Sequence, residues 1–170
     1  MILETQRLVI TELTIQDTPF FFELVNDEDW KRFIGDRNIN TLKDAEDYLT
    51  EKMIPSYKKW GFGFYLVSEK DSGTPLGISG FVDRESLDFI DVGFAFLPIG
   101  RRKGYGYEST KALIEYGKQN LQLDTLLAIA NKDNVRSHLL LKKLGFRFSK
   151  HTTLYDEDEE ICLFTNQKFI

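Results

Sequence analysis

With 170 residues, 42% of them apolar and 14% aromatic, the chain has the length of a single compact domain over 1–170 and can bury a core without disulfides or a structural metal. Its 27 acidic residues against 22 Lys and Arg leave a net charge of −5. That argues against a dedicated duplex-DNA binder, because neutralising phosphates needs a basic surface, and no nucleic-acid partner is expected. One cysteine, Cys162, excludes an internal disulfide framework and a Cys-rich zinc site.

No apolar run reaches the ~18 residues of a membrane span, and the opening Met1–Arg7 lacks the apolar stretch of a signal peptide. A cytoplasmic protein with no membrane partner is therefore expected. In chain order, Leu8–Thr11 reads as a first strand. Thr14-Ile15-Gln16-Asp17 forms a capping-box-like helix start, followed by Pro19 and an apolar run from Phe20 to Val25. Thr41-Leu42-Lys43-Asp44 offers a similar start, and Ala45, Tyr48, Leu49 and Met53 recur at helical spacing towards Tyr57. Strand-like blocks follow at Phe62–Ser68, Leu76–Val82 and Ile90–Leu97, with Asp71-Ser72-Gly73 as a hairpin turn between the first two.

The second half changes rhythm. Gly104 opens a helix in which Ser109, Ala112, Leu113 and Tyr116 share a face, and Leu126–Ala130 reads as a short buried strand. Asn134 caps a further helix with Ser137, Leu140, Leu141 and Leu144 on its inner face, and Gly145 can take the left-handed stop. Phe146–Phe148 and Glu160–Phe164 close the chain as strands, with Cys162 a buried strand residue. This order implies a mixed sheet with helices on its faces.

The stretch Ile99-Gly100-Arg101-Arg102-Lys103-Gly104-Tyr105-Gly106 lies after a strand and before a helix, where the first-turn amides have no partner within the helix. Glycines there admit a ligand close to the backbone. The positive end of the helix dipole adds roughly 0.3–1 kcal/mol for an anion. Three consecutive cations in an acidic protein point to a phosphate ligand, although a solvated basic turn would use the same residue types. A P-loop needs Gly-Lys-Ser/Thr after a four-residue spacer, which is absent, and the dinucleotide fingerprint needs a glycine where Ser109 stands.

Arg101-x-x-Gly104-x-Gly106, after the strand Asp91–Phe96, resembles the acyl-coenzyme A motif Gln/Arg-x-x-Gly-x-Gly/Ala of the GNAT N-acetyltransferase superfamily. The block Ala130–Ser137, followed by Leu141-Lys142-Lys143-Leu144-Gly145-Phe146-Arg147, resembles the Asn-x-x-Ser…Lys-x-Gly-Phe signature of the branch containing the ribosomal-protein N-terminal acetyltransferases. The opening Glu4-Thr5-Gln6-Arg7-Leu8 and the segment Leu76–Gly80 are also similar to that branch. The doubled Arg101-Arg102 and bulky Tyr107 depart from the common pattern. The resemblance implies an α/β (α+β) fold, with a mixed, mostly antiparallel sheet of about seven strands and helices on both faces. It admits a homodimer.

The reaction implied is direct attack of an amine on the thioester of acetyl-CoA, without a metal. The resemblance assigns the pyrophosphate to the turn Arg101, Arg102, Lys103, Gly104, Tyr105 and Gly106, and the pantetheine arm to Phe94, Ala95 and Phe96. A backbone N–H of that strand would polarise the thioester carbonyl, which in related oxyanion sites contributes roughly 2.7–4 kcal/mol. Asn131 and Asn134 are candidate cofactor contacts, Asn134 being also a candidate catalytic residue and a good helix cap in any fold. Ser137 is the candidate donor to the departing thiolate. A lysine amine with a pKa near 10.4 costs roughly 4.6 kcal/mol to deprotonate at pH 7, whereas an α-amine near 7.7–8.0 costs only about 1–1.4 kcal/mol. A carboxylate acting through water suffices for an α-amine, with Asp91 the first candidate and Glu85 or Asp88 next. Glu108 is explained by a favourable dipole and capping interaction, and the run Asp156–Glu160 by a solvated loop that could attract a basic substrate. The expected acceptor is a protein N-terminus or a small amine such as a polyamine. The alternative is a non-catalytic acyl-CoA-binding module that kept the cofactor turn and lost the chemistry.

Overall fold

Apolar alternation along Leu8–Glu12 and continuous burial along Pro75–Val82 place those two strands differently in one sheet, the second covered on both faces. The computed structural model describes residues 1–154 and 159–167, so residues 156–158 of the acidic run lie outside the described residues. The strands are β1 (Leu3–Glu4), β2 (Leu8–Glu12), β3 (Phe64–Glu69), β4 (Pro75–Val82), β5 (Asp91–Phe96), β6 (Leu127–Asn131), β7 (Arg147–Thr152) and β8 (Ile161–Thr165). They form one sheet in the order β1-β2-β3-β4-β5-β6-β8-β7. Every neighbouring pair is antiparallel except β5 and β6, which run parallel. The strand added to the seven foreseen is β1, two residues long, which shows no period a sequence can reveal.

The helices follow their local signals where those are strong. Thr14 and Asp17 form the expected capping box, which opens a 3₁₀ turn and then α1 (Thr18–Asn26), with Pro19 in its first turn. Thr41 and Asp44 cap α3 (Leu42–Tyr48) in the same way. The single helix expected to run on to Tyr57 instead widens at Leu49–Met53, where Ile54 N–H reaches back five residues to Leu49 C=O at 2.9 Å. It restarts as α4 (Pro55–Trp60) and stops at Gly61, φ +78°. Pro55 offers no N–H to continue the ladder, so a wider turn is the local solution. α2 (Glu28–Phe33) has no counterpart in the sequence reading; at six residues it is too short to show helical periodicity, although Asp27 caps it by accepting from Asp29 N–H at 3.1 Å.

Two apolar layers clothe the sheet. On one face Phe21, Leu24, Ala45 and Leu49 of the N-terminal helices pack over Leu66 and Ile78. On the other, Tyr65, Val67 and Phe81 pack beneath Leu113 of α5 (Tyr105–Asn120) and Leu141 of α6 (Val135–Lys143). Fully buried residues on α5 include Ser109, Thr110, Leu113 and Gly117, whereas Ala112 and Tyr116 are only half-buried. Gly117 sits where a Cβ would come within 2.8 Å of the Phe81 ring, so the helix lies close on the sheet. Glu108 does more than complement its helix: it accepts from Thr5 Oγ1 at 2.6 Å, Arg7 N–H at 2.9 Å and Arg7 Nε at 2.7 Å, fastening the N-terminal segment to the start of α5.

Candidate active site

The parallel pair that breaks the antiparallel pattern also creates the site. β5 and β6 share only the register Asp91↔Leu127, with Leu127 N–H donating to Ile90 C=O at 2.9 Å. β5 stays paired with β4 along its whole length, from Val82↔Asp91 to Gly77↔Phe96. Backbone groups of successive strand residues point alternately to the two sides. The carbonyls of Ile90, just before β5, and of Phe96 at its end face away from β4, so the even-numbered residues of β5 present their backbone to the gap where β6 has parted. Phe94 and Phe96 offer amides along that gap. A cavity of about 850 Å³ extends from it, lined by Phe94, Ala95 and Phe96 on one side and Ala130, Asn131 and Ser137 on the other.

The Gly-rich turn closes one end of the cavity. Gly104 takes φ +83° and Arg102 φ +60°, so the chain coils left-handed immediately before α5. Among the described residues none of the amides from Arg102 to Tyr107 donates a hydrogen bond, and the first bond of the helix runs from Glu108 N–H to Gly104 C=O at 3.0 Å. These open donors at a helix start suit a diphosphate. A Cβ on Gly106 would lie 3.2 Å from Leu140 Cδ2, so a side chain there would push into the opposite wall.

Several predicted contacts take other roles. Arg101 departs from the expected backbone donor to a pyrophosphate: its N–H donates to Pro98 C=O, Nε donates to Phe96 C=O at 2.9 Å, and its guanidinium pairs with Asp27 and, at 3.1 Å, with Asp29. It holds the turn in shape rather than presenting a free cation. Tyr105 turns its ring into the core, donating its hydroxyl to Glu69 at 2.9 Å beneath the Arg7 guanidinium. Lys103 is exposed and not among the cavity-lining residues, while its carbonyl accepts from Arg7 Nη1 at 3.0 Å. Arg102, Gly104 and Gly106 do line it. So does Tyr107, whose ring lies 4.3 Å from Lys143 Nζ.

Asn131 lines the cavity, but its amide is committed: Nδ2 donates to Glu159 at 2.6 Å and Oδ1 accepts from Asp133 N–H. Glu160 likewise pairs with Lys132, so the two described members of the acidic run brace the loop after β6 rather than lying free in solvent. Asn134 is the cap of α6, accepting from Ser137 N–H at 3.2 Å. Ser137 is half-buried on the cavity wall, and its hydroxyl makes no hydrogen bond among the described residues.

Asp91 stands where β5 and β6 meet. It is 1% exposed, and its Oδ2 accepts from Arg84 Nε at 2.7 Å. Burial pushes its carboxyl up to about 6, against the opposing pull of the Arg84 guanidinium and the backbone amide of Ile129. Glu85 and Asp88 are exposed and line no part of this cavity. Arg84, Trp30 and the ion pairs joining Asp29 to Arg101 and Arg136 escape a sequence reading. Their partners are brought together only by the fold, Arg101 and Asp27 being 74 residues apart. Among the described residues no group of His, Cys, Asp and Glu side chains forms a metal cluster, and no helix is long and apolar enough to cross a membrane.

Residues 7–147 match the family Acetyltransferase (GNAT) domain. The chain is 25% identical over 147 residues to the uncharacterized N-acetyltransferase YnaD of Bacillus subtilis strain 168, covering 86% of this chain and 83% of that protein. A GNAT-family acetyltransferase structure from Bordetella pertussis superposes with a TM-score of 0.80 at 22% identity, over 97% of this chain and 98% of that one. RimL, a ribosomal L7/L12 α-N-protein acetyltransferase solved with coenzyme A, superposes with a TM-score of 0.77 at 13% identity over 96% of each chain. Both structural likenesses fall below 25% identity and show the shared fold.

Proposed function

The chain belongs to the GNAT acetyltransferase family, and from that premise we propose that it transfers the acetyl group of acetyl-CoA to a primary amine, by direct attack with both substrates in the one cavity. The observation that carries this is the parting of β5 from β6 beyond Asp91↔Leu127, which opens strand amides beside the unpaired amides of the turn from Arg102 to Tyr107. The residues present fit the co-substrate: an extended polar arm lies along the strand while a diphosphate meets the turn. Acetyl-CoA supplies an activated thioester. An amide of Phe94 or Phe96 donates to its carbonyl oxygen and gains strength as negative charge grows there.

Asp91 takes the proton from the attacking amine, directly or through a water. At pH 7 it is ionised, yet it holds a proton more readily than a surface aspartate. Ser137, with its hydroxyl free of protein partners, donates to the sulfur as the carbon–sulfur bond breaks. An α-amine suits this arrangement, since its own pKa lies within about one pH unit of neutrality.

Release of free thiol from acetyl-CoA, followed with a panel of amines and N-terminal peptides, tests the proposal. Amine-dependent thiol is expected; tight CoA binding with no thiol would instead favour a non-catalytic acyl-CoA-binding module. Ser137→Ala is expected to lower kcat by about tenfold or more, with acetyl-CoA affinity within about a factor of two. An unchanged kcat removes Ser137 from the mechanism.

A further inference from the structure

Tyr48 of α3, Met53 of the widened turn, Phe64 of β3 and Ala95 of β5 line the cavity together. Each is only partly buried, and each packs on the apolar layer of the N-terminal helices. They form one apolar wall, on the face of the sheet away from α5 and α6. Tyr48 stacks on the buried Phe21 ring, centroids 5.7 Å apart at 23°, which holds the wall from behind. Phe64 lies over β5 at a residue with no side chain: a Cβ on Gly93 would lie 3.0 Å from both Cε1 and Cζ of the ring. The ring therefore rests on the β5 backbone one residue before Phe94, whose amide borders the gap left by β6. Met53 ends the turn in which the helix widens, and helical turns of this kind gather at functional sites.

Ile34 at the end of α2 and Trp60 at the end of α4 continue this lining, 42% and 45% exposed. Asp36, Arg37, Lys52 and Asp83 line the cavity as well, but all four are exposed and their charges sum to zero. Half-exposed apolar surface inside a cavity is stabilised by ligand surface of the same kind, which displaces water from it. A small or wholly polar amine would leave the wall wet and gain nothing from it.

Resting on the transfer reaction proposed above, we propose that the acceptor amine is carried on a bulky apolar group, which packs on the Phe64 ring and the wall of Tyr48 and Met53 while the amine meets the thioester beside Phe94. Phe64 is then a specificity-determining residue: it touches the substrate and not the reacting atoms.

The test measures thiol release from acetyl-CoA with phenylalaninamide, glycinamide and spermidine as acceptors. The first two share the reacting α-amine and differ by one benzyl group. The wild type is expected to favour phenylalaninamide over glycinamide in kcat/KM by at least about tenfold, the discrimination that an apolar pocket gives one large apolar group. Equal values, or a higher one for spermidine, overturn the proposal. 2-Phenylethylamine and a phenylalanyl tripeptide amide carry the same group and are expected to be accepted ahead of glycinamide; the better of the two tells a small free amine from a chain terminus. Phe64→Ala is expected to reduce the phenylalaninamide-to-glycinamide ratio about fivefold, and Phe64→Leu to restore most of it. An unchanged ratio in a folded Phe64→Ala protein removes Phe64 from specificity. Calorimetry of the CoA-saturated wild type needs no variant: phenylalaninamide is expected to bind at least about tenfold more tightly than glycinamide, and equal affinities overturn the proposal. No thiol from any amine would mark the failure of acetyl transfer instead, and the calorimetric comparison still decides whether the wall takes an apolar group.

Discussion

Replacing Gly104 with valine is expected to weaken acetyl-CoA binding by about two orders of magnitude. Gly104 stands at φ +83°, where an L residue is strained by roughly 1–2 kcal/mol, and a β-branched one is worse placed still. The strain can be relieved only by rotating the turn, and that redirects the open amides of Tyr105 and Gly106, which would meet the diphosphate. Each hydrogen bond to a charged group lost in this way costs about 1.5–3 kcal/mol. Together these terms reach about 3 kcal/mol, or roughly a hundredfold in affinity. The new Cβ would also approach within 3.3 Å of Arg7 Nη2, a flexible neighbour that can move, so the fold should survive. Titration calorimetry beside a circular-dichroism melt separates the two effects. Wild-type affinity in a folded variant would show that this turn does not hold the diphosphate.

Asp91→Asn is expected to lower kcat by roughly two to three orders of magnitude, as loss of a general base does. In the wild type the rate should climb through about pH 6 as the carboxyl ionises, and this limb should vanish in the variant. Stability makes a separate prediction. The folded carboxyl sits near 6 against an ordinary value of 3.8, so between these values the native state binds a proton that the unfolded chain has released. Protonation therefore favours folding, and the buried charge costs stability as pH rises from about 4 through 6, by about 3 kcal/mol in all. Asparagine does not titrate. The melting temperature of Asp91→Asn relative to wild type should accordingly rise between pH 4.5 and pH 7. A constant difference would mean that Asp91 titrates as an ordinary surface aspartate and is not the poised base.

Local signals carried much of the architecture. The Thr14/Asp17 and Thr41/Asp44 caps, the Asn134 cap and the Gly104 turn are visible because each is built from residues a few positions apart. α2 and β1 are too short to leave a period, and the widened turn at Leu49–Met53 lies within one continuous apolar pattern. The functional site divides in a similar way. The turn with Gly104 and Gly106 and the strand Phe94–Phe96 are legible as motifs. Arg101 reads as one more open amide of the turn until the fold bonds its N–H to Pro98 and sets its guanidinium against Asp27 and Asp29. Glu108 reads as a helix charge until Thr5 and Arg7 arrive.

Seven of the strands, the helices at Tyr105–Asn120 and Val135–Lys143, the strand–turn–helix motif at Gly104 and the caps were settled by the sequence, because each depends on the conformational preference of a few consecutive residues. The parting of β5 from β6, the burial and raised pKa of Asp91 beside Arg84, and the pairing of Arg101 with Asp27 and Asp29 were decided by tertiary structure. Each is a property of distance and solvent exclusion between residues far apart in the chain, and no local pattern encodes which charge a carboxylate will meet or whether water will reach it.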